Sequence, residues 1–200
     1  MKGIFIVLDG LDGAGLSTQA RLLEKWLRKK GKKVLLTKEP TFGMIGGLIK
    51  SVLKREWKTD QKALQLLFSA DRAHHLQKEI IPALERGYVV ICDRYILSTY
   101  CFGVIDRVDL NWLRSINSKF LKPEITIILD VPPQVSLERV EKSRFSLELF
   151  EEIKKLKKVR RNYHKLKNEF PNTFVVDGTK SIHEVHAEIK NIIEKFISKK

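Results

Sequence analysis

The stretch Asp9-Gly10-Leu11-Asp12-Gly13-Ala14-Gly15-Leu16-Ser17-Thr18 constrains this chain more than any other. It follows an apolar run and precedes a segment that repeats Leu16, Ala20, Leu23 and Leu27 on one helical stripe, so it reads as a strand-to-helix turn. Gly10, Gly15 and Ser17 fall in the register of GxxxxGK[ST], with Leu16 where that pattern has lysine. Glycines let consecutive backbone N–H groups converge on one point, and a helix opening at Gly15 adds its positive N-terminal end. Together they suit a phosphate. Ser17 supplies a hydroxyl for Mg²⁺. The competing reading is a tight turn without a ligand, in which Leu16 only continues the core stripe.

Apolar runs recur at 4–9, 34–37, 88–92, 125–131 and 173–176. They are nearly continuous rather than alternating, as in parallel strands covered on both faces. Helical patterns lie between them, at 64–84, 110–120, 135–141, 147–170 and 182–197, besides the one after the glycine loop. Gly31 and Gly87 stand where C-cap glycines would, and Pro132-Pro133 ends the fourth run. Strand and helix alternation of this kind predicts an α/β fold, a five-stranded parallel sheet flanked by helices. At 200 residues, with no repeat or linker, one domain spanning 1–200 is the economical reading.

Composition narrows the function classes. Hydrophobic residues make up 43% and charged residues 31%, which excludes wholesale disorder. No apolar run approaches the roughly 18 to 20 residues of a membrane helix. Asp9 interrupts the apolar start, so an untargeted cytoplasmic protein is expected. Cys92 and Cys101 lack metal spacing and read as reduced thiols. The net charge of +14 suggests an anionic partner. Nucleotides, nucleic acid and acidic lipid all qualify. The densest basic run, 154–161, reads as a solvated helix face, and no aromatic–basic interleaving accompanies it, so nucleic acid is not expected.

Several further segments share an order with one known family. Ser17-Thr18-Gln19 closes the glycine loop. Lys38-Glu39-Pro40 follows the second run, and Leu66-Leu67-Phe68-Ser69-Ala70-Asp71-Arg72 lies on a helix. Asp93-Arg94-Tyr95 with Ser98 ends the third run, and Pro123-Glu124, Leu129-Asp130-Val131 and Leu137-Glu138-Arg139 lead onward. In this order the chain resembles the thymidylate kinases, P-loop nucleoside monophosphate kinases, over nearly its whole length. The resemblance implies a five-stranded P-loop fold with a short lid at about 139–147, ATP and dTMP as substrates, Mg²⁺ as cofactor, and a homodimer. It assigns Gly10, Leu11, Asp12, Gly13, Ala14, Gly15, Leu16, Ser17 and Thr18 to the ATP phosphates. It places Asp12, Glu39, Phe68, Arg72, Arg94, Ser98 and Phe102 at the acceptor, with Phe68 stacked on the base and Arg72 at its edge. Ser17 and Asp93 fall to the metal, and Asp12, Arg94 and Arg144 to catalysis.

The chain also departs from the family pattern. Leu16 removes the loop cation, and Gly13 occupies the position where one branch of the family carries a basic residue, so Arg144, helped by Arg139 or Lys142, fits the branch with a basic lid. Thr41-Phe42-Gly43 replaces Gly-Gly-Thr. Gly103 stands where a glutamine often follows the aromatic, and Ser146 stands where a glutamate often does. These departures leave two alternatives: a kinase for another (deoxy)nucleoside monophosphate or a deoxynucleoside, or a nucleotide-binding protein of weakened activity.

Overall fold

The computed structural model describes residues 3–140 and 147–198. Five parallel strands, β1 (Ile4–Gly10), β2 (Val34–Lys38), β3 (Val89–Asp93), β4 (Ile125–Asp130) and β5 (Thr173–Asp177), form one sheet in the order β2-β3-β1-β4-β5. Successive side chains of β1 point to opposite faces. Phe5 and Val7 enter one apolar layer, and Ile6 and Leu8 enter the other. The Ile6 layer is closed by α1 (Leu16–Lys29) and α9 (Ile182–Ile197), through Leu23, Leu27, Ile189 and Ile193. The Phe5 layer is closed by α5 (Ile96–Gly103) and α8 (Leu147–Leu166), through Leu97, Cys101, Val159 and Tyr163. Double coverage explains why the strands read as unbroken apolar runs.

The remaining helices are α2 (Met44–Leu53), α3 (Gln61–His75), α4 (Ile81–Glu85), α6 (Leu110–Asn117) and α7 (Pro133–Val140). Two of the helices were not visible as periodic patterns. α5 is buried almost all round, so it has no polar face to mark it, and α2 carries Gly46-Gly47. The helix expected across 64–84 is interrupted by a π turn at Leu76–Ile80. Pro82, which lacks an N–H and crowds the carbonyl four residues back, accounts for the break. The strand ends also shift: Tyr88 and Val131 fall outside the strands, and four of the five run one residue further at the carboxyl end or begin one later.

Register brings the loop ends together. Leu8 pairs with Asp93 and Lys38 with Asp93, so the chain leaves β1, β3 and β2 side by side at one rim of the sheet. That rim, where β1 stands between strands reached by opposite crossovers, is where open α/β sheets hold ligands. Gly31 and Gly87 adopt positive φ after α1 and α4, as expected of C-caps. Both cysteines are free and buried. Among the described residues, no helix is long and apolar enough to cross a membrane.

Candidate active site

The glycine loop wraps the carboxyl end of β1. Gly13 has φ +77°, and a Cβ there would lie 2.3 Å from the Ser136 carbonyl oxygen of α7, so only glycine fits. Ser136 Oγ in turn donates to the Asp12 carbonyl. Gly15, at φ +93°, is the N-cap of α1. The first i→i−4 bond of that helix runs from Gln19 N–H to Gly15 O at 3.0 Å, which leaves the amides of Leu16, Ser17 and Thr18 ahead of the ladder. Ser17 and Thr18 are exposed, whereas Leu16 is buried in the Ile6 layer with Ala20, Leu23 and Leu27. The loop therefore offers backbone donors and hydroxyls, and the side chain at 16 belongs to the core.

The end of β3 supplies the charged groups. Ser17 Oγ donates to Asp93 Oδ2 at 2.5 Å. Arg94 sits at φ +72°, a conformation that costs a non-glycine residue roughly 1–3 kcal/mol. The turn aims its guanidinium back over the loop. Nη1 donates to Gly10 O at 2.9 Å and to Ser98 Oγ at 3.0 Å, and Nη2 donates to Asp12 Oδ1 at 2.8 Å. Its Cζ lies 5.5 Å from the Phe102 ring centroid. Asp93 and Arg94 do not form a salt-bridged strand end; each has gone to a different residue of the loop.

Beneath this guanidinium lies a buried acid. Asp9 is fully buried, and its Oδ1 accepts from Ser98 Oγ, from Tyr163 Oη at 2.7 Å and from the Gly10 N–H at 3.2 Å. Burial raises the Asp9 pKa, opposed first by the Arg94 charge. Burial, then the charge of Asp9, pushes the Tyr163 hydroxyl well above its ordinary value. Tyr163 was not legible as a site residue. It falls on the stripe Leu156, Val159, Tyr163, Leu166, which reads as core.

The opposite wall is α3. Phe68 is half-buried, and Arg72 is buried to 1% exposure rather than being a surface charge. Arg72 Nε donates to Glu39 Oε2 at 2.9 Å, Nη1 to Asn117 Oδ1 at 2.5 Å and Nη2 to Thr99 Oγ1 at 3.0 Å; Nη2 also lies 2.7 Å from Glu39 Oε2. Glu39 Oε1 is 3.2 Å from His75 Nδ1. Glu39 thus spends both oxygens on Arg72 and His75, and it orients the arginine instead of facing the cleft alone. Asn117 and Thr99 complete this arrangement and carry no local sequence signal, whereas His75 falls at the helical spacing of Phe68 and Arg72.

Between the walls lies a cleft of about 770 Å³. It brings together Leu11, Asp12, Gly13, Gly15, Leu16, Ser17 and Thr18 with Glu39, Phe68, Arg72, Asp93, Arg94, Ser98 and Phe102. Gly10 and Ala14, also expected at the phosphates, do not line it: Gly10 ends β1 and Ala14 is buried in the Ile6 layer. Arg144 and Lys142 lie outside the described residues. Arg139 donates through Nη1 to Gly178 O at 3.0 Å, which ties the end of α7 to the turn after β5.

A family model described as thymidylate kinase matches residues 8–189. A probable thymidylate kinase of Pyrococcus horikoshii is 44% identical over 200 residues, covering 97% of each chain. One from Thermococcus gammatolerans is 41% identical over 98% of each. The thymidylate kinase of Caldicellulosiruptor saccharolyticus is 35% identical over the full length of both. The glycine loop, the strand-end arginine and the aromatic wall all lie inside a match that runs from β1 into α9, and this chain belongs to the thymidylate kinase family.

Proposed function

We propose that the chain transfers the γ-phosphoryl group of ATP to dTMP, giving dTDP and ADP. The observation that carries this reading is the position of Arg94, whose guanidinium spans the glycine loop on one side and Ser98 on the other. An acceptor phosphate oxygen attacks the γ-phosphorus, the new P–O bond forms, and the bond to the β-phosphate oxygen breaks with ADP leaving. Such transfer needs positioning and charge neutralisation more than covalent help.

The chain's residues divide that work. The amides of the loop and of the first turn of α1 hold the ATP phosphates. Arg94 grips the acceptor phosphate and, at the junction, faces the charge that moves. Asp12 stands at the mouth of the loop beside Arg94, and Ser98 and Phe102 line the acceptor side with Phe68 and Arg72. Ser17 and Asp93 would hold Mg²⁺. Their oxygens are adjacent, and among the described residues no three or more His, Cys, Asp or Glu side chains cluster as a metal site of their own. Two hard oxygens, with phosphates and waters for the rest, is the donor set this ion prefers. Bound there, the ion would neutralise phosphate charge.

Leu16 leaves the loop without a cation, so we assign that charge to the lid at 139–147, with Arg144 first and Arg139 and Lys142 behind it. We also take the chain to act as a homodimer. Met44 is 91%, Phe42 85%, Leu48 47% and Leu66 50% exposed, an apolar set on α2, α3 and the turn before them. Nucleic acid is not a partner in this reading. Within the basic run, Lys155 pairs with Asp106 at 2.8 Å and Arg160 with Asp130 at 2.6 Å, so part of that charge is engaged internally.

The test is product identification. Incubation with ATP, Mg²⁺ and dTMP should yield dTDP and ADP in equal amounts. ADP without dTDP would remove the transferase reading.

A further inference from the structure

Gln65 precedes Phe68 by one turn and Arg72 by two on the cleft-facing side of α3. It is buried to 3% exposure and lines the cleft; its Oε1 is sealed from solvent and has no hydrogen-bond partner among the described residues, and a half-turn of the carboxamide about Cγ–Cδ exchanges Oε1 with Nε2 toward the cleft. A buried amide oxygen left unpaired is costly, and such groups in native structures call for a reason. The surroundings supply one. A Cβ at Gly103 would lie 3.4 Å from Gln65 Cδ, 3.5 Å from its Nε2 and 2.8 Å from Leu113 Cδ1. The missing side chain on α5 is what makes room for the carboxamide that reaches in from α3.

Arg72 defines what this oxygen could meet. Its N–H groups already serve Glu39, Asn117 and Thr99, which leaves one hydrogen on Nη1, and a guanidinium has no acceptor. A thymine edge presents a carbonyl at position 4 next to a donor at N3. Reading both atoms requires a donor and an acceptor side by side, and Arg72 supplies only the donor.

We infer that Gln65 determines acceptor specificity: its Oε1 accepts the N3–H of the pyrimidine ring, beside the arginine that faces the 4-carbonyl. A cytosine ring, with an acceptor at N3 and an amino group at position 4, meets the wrong partner at the arginine. This inference rests on dTMP being the acceptor.

The experiment compares dTMP with its N3-methyl derivative on the wild-type enzyme, Gln65→Met and Gln65→Ala. In the wild type the methyl group should raise the acceptor KM at least about tenfold, since it removes a buried hydrogen bond and collides with the carboxamide. Gln65→Met, of similar bulk without the acceptor, should raise the KM for dTMP by about tenfold and leave the KM for ATP unchanged. Gln65→Ala opens space at N3, so its methyl penalty should fall below about threefold. A purely structural glutamine would lower the melting temperature of both variants and leave the methyl penalty at its wild-type size, which overturns the inference. So would a dTMP KM within about twofold of wild type in Gln65→Met. Should neither variant fold, equal wild-type KM values for dTMP and its N3-methyl derivative would overturn it, and a tenfold difference would support it. A wild-type enzyme that does not phosphorylate dTMP at all fails the acceptor assignment; one that does, with an unchanged methyl penalty in the variants, fails only Gln65.

Discussion

Arg94 Nη2 donates to Asp12 Oδ1 at 2.8 Å, which ties the end of β3 to the middle of the glycine loop. The Asp12 side chain is 69% exposed and that of Arg94 is 19% exposed, so this ion pair alone adds little stability. Its importance is geometric: the same guanidinium also holds Gly10 O and Ser98 Oγ, and a fork of donors is fixed before any phosphate arrives.

Arg94→Lys keeps the charge and loses the fork. It should lower kcat/KM for dTMP by at least about a hundredfold, or about 2.7 kcal/mol, because a single ammonium cannot satisfy both sides of the junction. Steady-state kinetics in both substrates checks this. A change under about threefold would mean that Arg94 contributes only bulk charge.

The Arg72–Glu39 pair makes a different kind of claim. Both side chains are at most 3% exposed, so removing the arginine strands a buried carboxylate. Loss of one partner of a buried pair costs about 3–5 kcal/mol. At about 2–4 °C per kcal/mol for a chain of this size, Arg72→Met should melt roughly 6–20 °C below wild type. Arg72→Met combined with Glu39→Gln should recover part of that loss. Calorimetry decides the matter, and an unchanged melting temperature for the single variant would show the pair to be dispensable to the fold.

Asp9 gives a pH dependence. Burial raises its pKa in the folded state, so the native protein binds that proton more tightly than the unfolded chain does. The stability it contributes is present below the ordinary carboxylate range and is lost as pH rises through the raised value. Asp9→Asn keeps an acceptor for Ser98 and Tyr163 and removes the ionisation. Its melting temperature relative to wild type should therefore shift upward as pH climbs through that window and level off above it. A difference that stays constant from pH 4 to 8 would contradict the direction of the shift.

The sheet was legible because its central strands β1, β3 and β4 are buried on both faces, and no polar alternation obscures runs such as Phe5 to Leu8. The loop was legible because its glycines answer to local backbone demands, as Gly15 does with its positive φ at the N-cap of α1. Even the alternative reading of Leu16 as core could be stated from the stripe it shares with Ala20, Leu23 and Leu27, and the structure places it there. What local pattern could not carry was partnership at long range. Arg72 came to the base edge by resemblance alone, and nothing local showed that Asn117 and Thr99, far along the chain, hold it; Tyr163 is a core residue by spacing with a hydroxyl that ends at Asp9. The helix α5 was missed for the same reason that it matters, since its burial on all sides puts Ser98 and Thr99 on the cleft and hides any periodicity.

The most direct measurement is kcat/KM for ATP-dependent phosphorylation across dTMP, dCMP, AMP, CMP and GMP under identical Mg²⁺ and salt. The dTMP value should be the highest, and dCMP should fall at least about a hundredfold below it, because the remaining N–H of Arg72 favours a carbonyl over an amino group. Turnover of AMP, CMP or GMP equal to or better than that of dTMP would contradict the acceptor assignment, and transfer to none of the five would contradict the kinase itself.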